Sequence, residues 1–219
     1  ATSCFSFVEA VGLTYAGKLL AASAGWRSSD GDGRYDGVPV ADRDALGPII
    51  DRQSKEAPEN LVSFAAGMLG AMGWTTDFAP LVVFCGHESD TTNNPYKAAL
   101  DCGACGGHSG EANARAAAAI LNDGRVRRSL AARGIEIPAD SFFVAAVHNT
   151  TTDEVRWLDS DKIPSTHSAA LSGLRHTATK ASREVQAERA ERFGMHGDAR
   201  RRAQDWSEVR PEWGLAGNA

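Results

Sequence analysis

Hydrophobic and polar positions alternate along this chain in a way that separates helices from strands. From Phe7 to Leu20 the apolar residues recur at helical spacing, and the pattern predicts a helix running to about Ala24. A second helix is predicted from Pro58 to Met72, with Leu61, Phe64, Ala65, Met68 and Met72 along one face. Pro80-Leu-Val-Val-Phe-Cys85 is a short continuous apolar run stopped by Gly86, the pattern of a fully buried strand in a parallel sheet. Ser141-Phe-Phe-Val-Ala-Ala-Val-His148 repeats it. Between these two runs lie a predicted helix from about Ala112 to Asn122, a break at Asn122-Asp-Gly124, and a short helix suggested by Val126, Leu130 and Ile135 before the Pro138 turn. From Thr166 to about Phe193, Leu171, Leu174, Ala178, Ala181 and Val185 recur every three or four residues and predict an amphipathic helix.

Strands alternating with helices define an α/β chain. The patterning divides it into a helical lead-in at 1–79, a sheet segment at 80–165, and an amphipathic helix with a C-terminal extension at 166–219. The Ser-, Asp- and Gly-rich stretch from Ser28 to Gly37 reads as a loop, as does the polar run from Glu88 to Pro95.

Composition narrows the function classes. With 23 Lys+Arg against 28 Asp+Glu in 219 residues, a formal net charge of −5 and 42% hydrophobic residues, the chain has the make-up of a globular domain and no overall pull toward nucleic acid. The predicted last helix and its continuation carry Arg175, Lys180, Arg183, Arg189, Arg192 and Arg200 to Arg202, but Glu184, Glu188 and Glu191 are interspersed and the pattern fits a solvated face. No run approaches the roughly 20 apolar residues that span a bilayer. The first residues carry neither an initiator Met nor a signal-peptide pattern, and the last end on Trp213 and Leu215 without a polar tail, which suggests a piece of a longer protein.

The unusual chemistry is concentrated between Cys85 and His108. Three of the four cysteines, Cys85, Cys102 and Cys105, fall there with His87 and His108, while Cys4 stands apart as an ordinary buried thiol. Imidazole nitrogen and thiolate sulfur are the donors zinc prefers. His87 sits where open α/β sheets place their ligands, at the C-terminal end of a strand. Cys102 lies in a glycine-rich turn whose backbone can wrap closely around an ion. His87 with Cys102 is therefore the most economical metal pair among the five candidates. Asp101 and His148 are candidates to orient these ligands by hydrogen bonds.

Other chemistries are less well supported. Cys102-Gly-Ala-Cys105 is a C-x-x-C and invites a thiol redox reading, yet Ala98-Ala-Leu-Asp101 before it is a poor strand. No phosphate-binding motif accompanies Gly103, Gly106, Gly107 and Gly110, and Ser89 and Ser109 lack a nucleophile-elbow context.

The same residues resemble a known family. Gly86-His87, Asn93-Asn-Pro95, Ala99-Leu-Asp-Cys-Gly-Ala-Cys-Gly-Gly107, Asn113-Ala-Arg115, Arg133-Gly-Ile135, His148-Asn-Thr-Thr-Thr-Asp153 and Val209-Arg-Pro-Glu-Trp-Gly-Leu-Ala-Gly-Asn-Ala219 are similar to the DabA family of inorganic-carbon transporter subunits. The resemblance runs from Phe5-Ser-Phe-Val-Glu-Ala-Val-Gly12 to the last residue. It implies a β-carbonic-anhydrase-like sheet flanked by helices, here a partial one. It also implies a zinc held by two cysteines, an aspartate and a histidine. The family's histidine falls on His87 and one cysteine on Cys102; the other two ligands belong to an upstream Cys-x-Asp motif that this sequence lacks. Glu88 departs from the family pattern, which has a small residue there, and reads either as a solvent-facing loop residue or as a tuner of ligand basicity.

The resemblance further implies attack of zinc-bound hydroxide on CO₂ to give bicarbonate. It places the protein peripherally on the cytoplasmic side of the cell inner membrane, with a membrane-embedded, ion-conducting DabB-like partner that makes hydration a one-way uptake. With two of four ligands, the isolated chain is expected to hold zinc weakly and to be inactive. The rival readings are a C-x-x-C redox protein and a non-catalytic interaction module.

Overall fold

The computed structural model describes residues 12, 16–24, 39, 42, 46–50, 54–89 and 100–192. The loop predicted at 28–37, residues 90–95 of the loop predicted at 88–95, the basic cluster at 200–202 and the motif at 209–219 lie outside the described residues. The chain forms two units, Ala1–Pro39 and Val40–Ala219. In the first, helix α1 spans Ala16–Ser23, inside the predicted helix, with Leu20 exposed.

In the second unit, α2 (Glu59–Ala71) starts after Pro58, whose carbonyl accepts from Val62 N–H at 3.2 Å. It ends on Gly73, whose φ of 64° lies in the left-handed region a side chain resists. Trp74 N–H then reaches back to the Leu69 carbonyl at 2.9 Å and Gly73 N–H to that of Gly70 at 3.0 Å, satisfying the last turn's carbonyls. The buried face of α2 is Val62, Ala65 and Leu69. Of the predicted face Ala65 belongs to it and Leu61 and Met68 are half-buried against the core, whereas Phe64 and Met72 are 54% and 48% exposed. Apolar residues cover nearly the whole circumference of this helix, so periodicity alone could not select the side that packs.

Strand β1 (Leu81–Glu88) runs parallel to β2 (Phe142–Asn149), and the short β3 (Val155–Trp157) is antiparallel to β2, in the order β1-β2-β3. β1 extends three residues past the predicted end at Cys85. It is also less buried than predicted, because it borders only β2 in the described sheet; its buried residues are Val82 and Glu88. β2, flanked on both sides, buries Phe143 through Val147 without interruption.

The β1-to-β2 crossover contains α3 (Glu111–Asn122) and α4 (Gly124–Ala131). The predicted break between them is real, and Val126, Leu130 and Ile135 are all buried. Asp123 caps α4 by accepting from Arg125 N–H at 2.8 Å. Asn122 locks the end of α3 onto the sheet, donating to the Phe143 carbonyl at 2.7 Å and accepting from Phe143 N–H at 3.0 Å. Leu69, Ala118, Leu121, Leu130, Phe143, Ala145 and Val147 share one core between α2, α3, α4 and the sheet. Phe143 stacks on Phe84 at 5.8 Å between centroids and meets the edge of Phe78 at 6.0 Å.

The last described helix, α5 (Ser168–Arg192), matches the predicted span. Its packing face does not: Leu171 is buried, but Ala181 and Val185 are exposed, and Gln186, Arg189 and Ala190 are buried instead. Arg189 therefore leaves the predicted solvated face, because the fold supplies Asp153 as its partner at 2.7 Å. No described helix is long and apolar enough to cross a membrane.

Two outcomes test this packing. Phe143→Ala is expected to cost about 3–5 kcal/mol in urea unfolding through loss of the aromatic cluster. The Asp123 carboxyl is held below the usual range, first by its hydrogen bond from the Arg125 side chain. A lowered folded-state pKa contributes stability above the unfolded value of about 3.9 that is lost as pH falls through the folded value. Asp123→Ala should thus cost about 1 kcal/mol at neutral pH, and its deficit relative to the parent should shrink below pH ~4.

Candidate metal site at the strand ends

The parallel register sets His87 of β1 beside His148 of β2. Residues paired in register point to the same sheet face, and alternate residues point to opposite faces. Cys85 and His87, both exposed, thus share one face of β1, while Val82, Phe84, Gly86 and Glu88 share the face that meets the helical layer. Gly86 is required there: a Cβ on it would lie 2.6 Å from the Gly110 carbonyl oxygen, and Gly110 N–H donates to the His87 carbonyl at 2.8 Å.

That backbone contact is one of three that stitch the Cys102 loop to the strand carrying His87. Asp101, buried, accepts from both the N–H and the hydroxyl of Ser89 at 2.7 and 3.0 Å. Ser109 donates its hydroxyl to Glu88 at 2.8 Å and accepts from Glu111 N–H at the start of α3 at 3.1 Å. The loop closes on itself through Cys102 N–H to the His108 carbonyl at 3.0 Å. Gly106 and Gly107, at φ 68° and 79°, make the reversal.

Glu88 is 3% exposed, which rules out the solvent-facing alternative. Arg156 of β3 contacts both its carboxylate oxygens at 3.1 Å and reaches Glu111 at 2.8 Å. Burial opposes the charge on Arg156, but the hydrogen bond to Glu111 and the charge of Glu88 hold its guanidinium protonated well above the usual range. Residues 150–153 are buried as well. Thr150 N–H donates to the Glu88 carbonyl at 2.6 Å, Gln186 to the Thr152 carbonyl at 2.7 Å, and Arg189 to that of Thr150 at 3.1 Å. His148, half-buried, has its Nε2 3.2 Å from Asp153, which the Arg189 ion pair holds in turn.

Sequence reasoning left Glu88 open between two roles and did not foresee Ser109, Gly110, Arg156, Gln186 or Arg189 as parts of this assembly. For Glu88 the signal was present: two-residue periodicity from Val82 places it on the inward face. Arg156 and Arg189 lie far along the chain from their partners, and no spacing rule links them.

As donors, His87 is an exposed imidazole and Cys102 a half-buried thiol in a pinned turn, a chemistry that fits zinc. Among the described residues no three His, Cys, Asp or Glu side chains form a group that could hold a metal ion. His108 is exposed. The Cys85 thiol is pushed up by the desolvation of its sulfur. Cys105 is pushed up too, first by its hydrogen bond with Cys102, while Asn113 donates to its sulfur at 3.1 Å. Cys102 precedes a three-residue 3₁₀ turn, Gly103–Cys105, where a thioredoxin-like centre has a helix N-terminus.

The geometry defines a class, an α/β protein with a cysteine and a histidine brought to adjoining backbone at the C-terminal end of a parallel strand pair. Comparison with known proteins then gives the family. The family model described as "Probable inorganic carbon transporter subunit DabA" matches residues 1–219. A protein of that description from Bradyrhizobium sp. (strain ORS 278) is 45% identical over 100% of this chain and 27% of its own length. One from Roseiflexus castenholzii is 44% identical over 99% of this chain and 27% of its own, and one from Rhodopirellula baltica 44% over 100% and 25%. The chain belongs to the DabA family. It spans about a quarter of the length of these curated relatives. No solved structure matches it.

Gly86→Ala tests the stitching. The added methyl must displace Gly110, so thermal stability should fall and exchange of the Gly110 and Ser89 amide protons should accelerate, whereas Gly103→Ala, where a Cβ meets nothing within 4 Å, should leave both unchanged.

Proposed function

We propose that this chain is the part of an inorganic-carbon uptake protein that supplies His87 and Cys102 to a zinc site for CO₂ hydration. The observation that carries the reading is the triple link between the two ligand-bearing segments, Gly110 to His87, Ser89 to Asp101 and Ser109 to Glu88. Such bonds fix the backbone from which both donors project, and metal sites depend on that kind of support around their ligands. The remaining Cys and Asp donors belong to a Cys-x-Asp segment outside this sequence. When bound, zinc supplies Lewis acidity that lowers the pKa of water from about 15.7 toward ~7 and so makes a nucleophile at neutral pH.

The chain's own residues bind and orient. His87 offers a neutral ring nitrogen and Cys102 a thiolate, each needing to lose its proton before it can ligate. Asp101 holds the loop from which Cys102 projects. Glu88 acts through its ion pair with Arg156 to hold the strand end. His148, in register with His87 and fixed by Asp153, lines the same sheet face. Uptake rather than equilibration requires coupling to a membrane-embedded, ion-conducting DabB-like partner, with this protein peripheral on the cytoplasmic side of the inner membrane. The family description, a transporter subunit, supports a multi-component system.

Zinc content by elemental analysis tests the reading. The full-length protein should carry about one zinc per chain, and His87→Ala and Cys102→Ala should each lose nearly all of it, while this 219-residue stretch alone should bind only weakly. Full-length protein purified without zinc, and unable to take it up when reduced, would overturn the proposal.

A further inference from the structure

Zinc ligation leaves Cys105 unused, yet the fold holds it against Cys102. Cys105 N–H donates to the Cys102 carbonyl at 3.0 Å, and Gly107 N–H donates to the same oxygen at 3.0 Å. A turn closed in this way keeps its first and fourth Cα atoms within about 7 Å, overlapping the roughly 4.4–6.8 Å that a disulfide spans. The Asn113 amide donates to Cys105 Sγ at 3.1 Å, which fixes where that sulfur stands on the turn. Both are free thiols, half-buried, and so within reach of a small oxidant. Gly103 between them has open space where a side chain would stand, which leaves the turn room to adjust.

We propose that Cys102 and Cys105 form a reversible disulfide that withdraws Cys102 from the metal, making the site redox-gated. The proposal rests on the zinc reading of Cys102 and adds regulation to it. With hydrogen peroxide as oxidant, one cysteine sulfur attacks a peroxide oxygen, the O–O bond breaks, and a sulfenic acid and one water result. The second sulfur then attacks the first, the S–S bond forms, and the sulfenic oxygen leaves as a second water. Two thiols and one peroxide thus give one disulfide and two waters, with two electrons passing from sulfur to oxygen. A disulfide sulfur carries no thiolate charge to hold zinc. A dithiol reductant reverses the change by exchange.

The test treats full-length protein with hydrogen peroxide, then blocks free thiols and identifies linked peptides by mass spectrometry, with zinc per chain measured before, after, and after dithiothreitol with added zinc. The expected result is a Cys102–Cys105 linked peptide, a fall in zinc of at least about tenfold, and recovery on reduction. Cys105→Ser should bind zinc when reduced and yield no Cys102–Cys105 linked peptide after peroxide, any oxidation of Cys102 there stopping at the sulfenic acid or beyond. Absence of the linked peptide, or retention of zinc by the oxidised protein, overturns the gate. Absence of zinc from the reduced parent overturns the metal reading and the gate together, and a linked peptide in that case identifies a plain thiol redox centre.

Discussion

The strand end is organised by a buried charge. Glu88 has almost no contact with solvent, and a carboxylate taken out of water persists as an ion only if its oxygens are matched by cationic or hydrogen-bonding partners. Arg156 and Ser109 meet that demand, and because they come from β3 and from the start of α3, satisfying one carboxylate draws three parts of the chain together. Arg156 extends the link to Glu111, and Glu111 to Arg115, which pairs in turn with Asp159. Removing one member would leave its partner charged in a dry setting, so the network constrains geometry even where its net stabilisation is small.

Around that anchor, the position of the chemistry follows from two close approaches. Gly86 and Gly110 let β1 and the entry to α3 touch without side chains between them, and the Asp101 carboxylate closes the loop from the other side. His87 and Cys102 therefore project from backbone that is tied at several points. The buried turn after β2 does the same for His148, with Asp153 held between His148 and Arg189.

Much of the fold was legible in local pattern. The two parallel strands, the helix break at Asn122-Asp-Gly124 and the span of α5 each follow from apolar runs and from residues with strong backbone preferences, which act over a few positions. Packing faces were less legible. On α2, apolar residues nearly all round offered several faces, and contact with α4 and the core chose Val62, Ala65 and Leu69 over Phe64 and Met72. On α5, the counting of hydrophobic residues favoured Val185 over Arg189, although a buried partner reversed that order.

Sequence by itself determined the α/β class, the residues able to donate to zinc, and the membership in a family whose motifs are spread along the whole chain. Those are properties of residue type and short-range spacing. Tertiary structure alone decided that Arg156 is the partner of Glu88, that Arg189 is buried against Asp153, and that Asp101 closes onto Ser89. Each is a contact between residues well separated along the chain, and its energy depends on desolvation and partner geometry that no local spacing encodes.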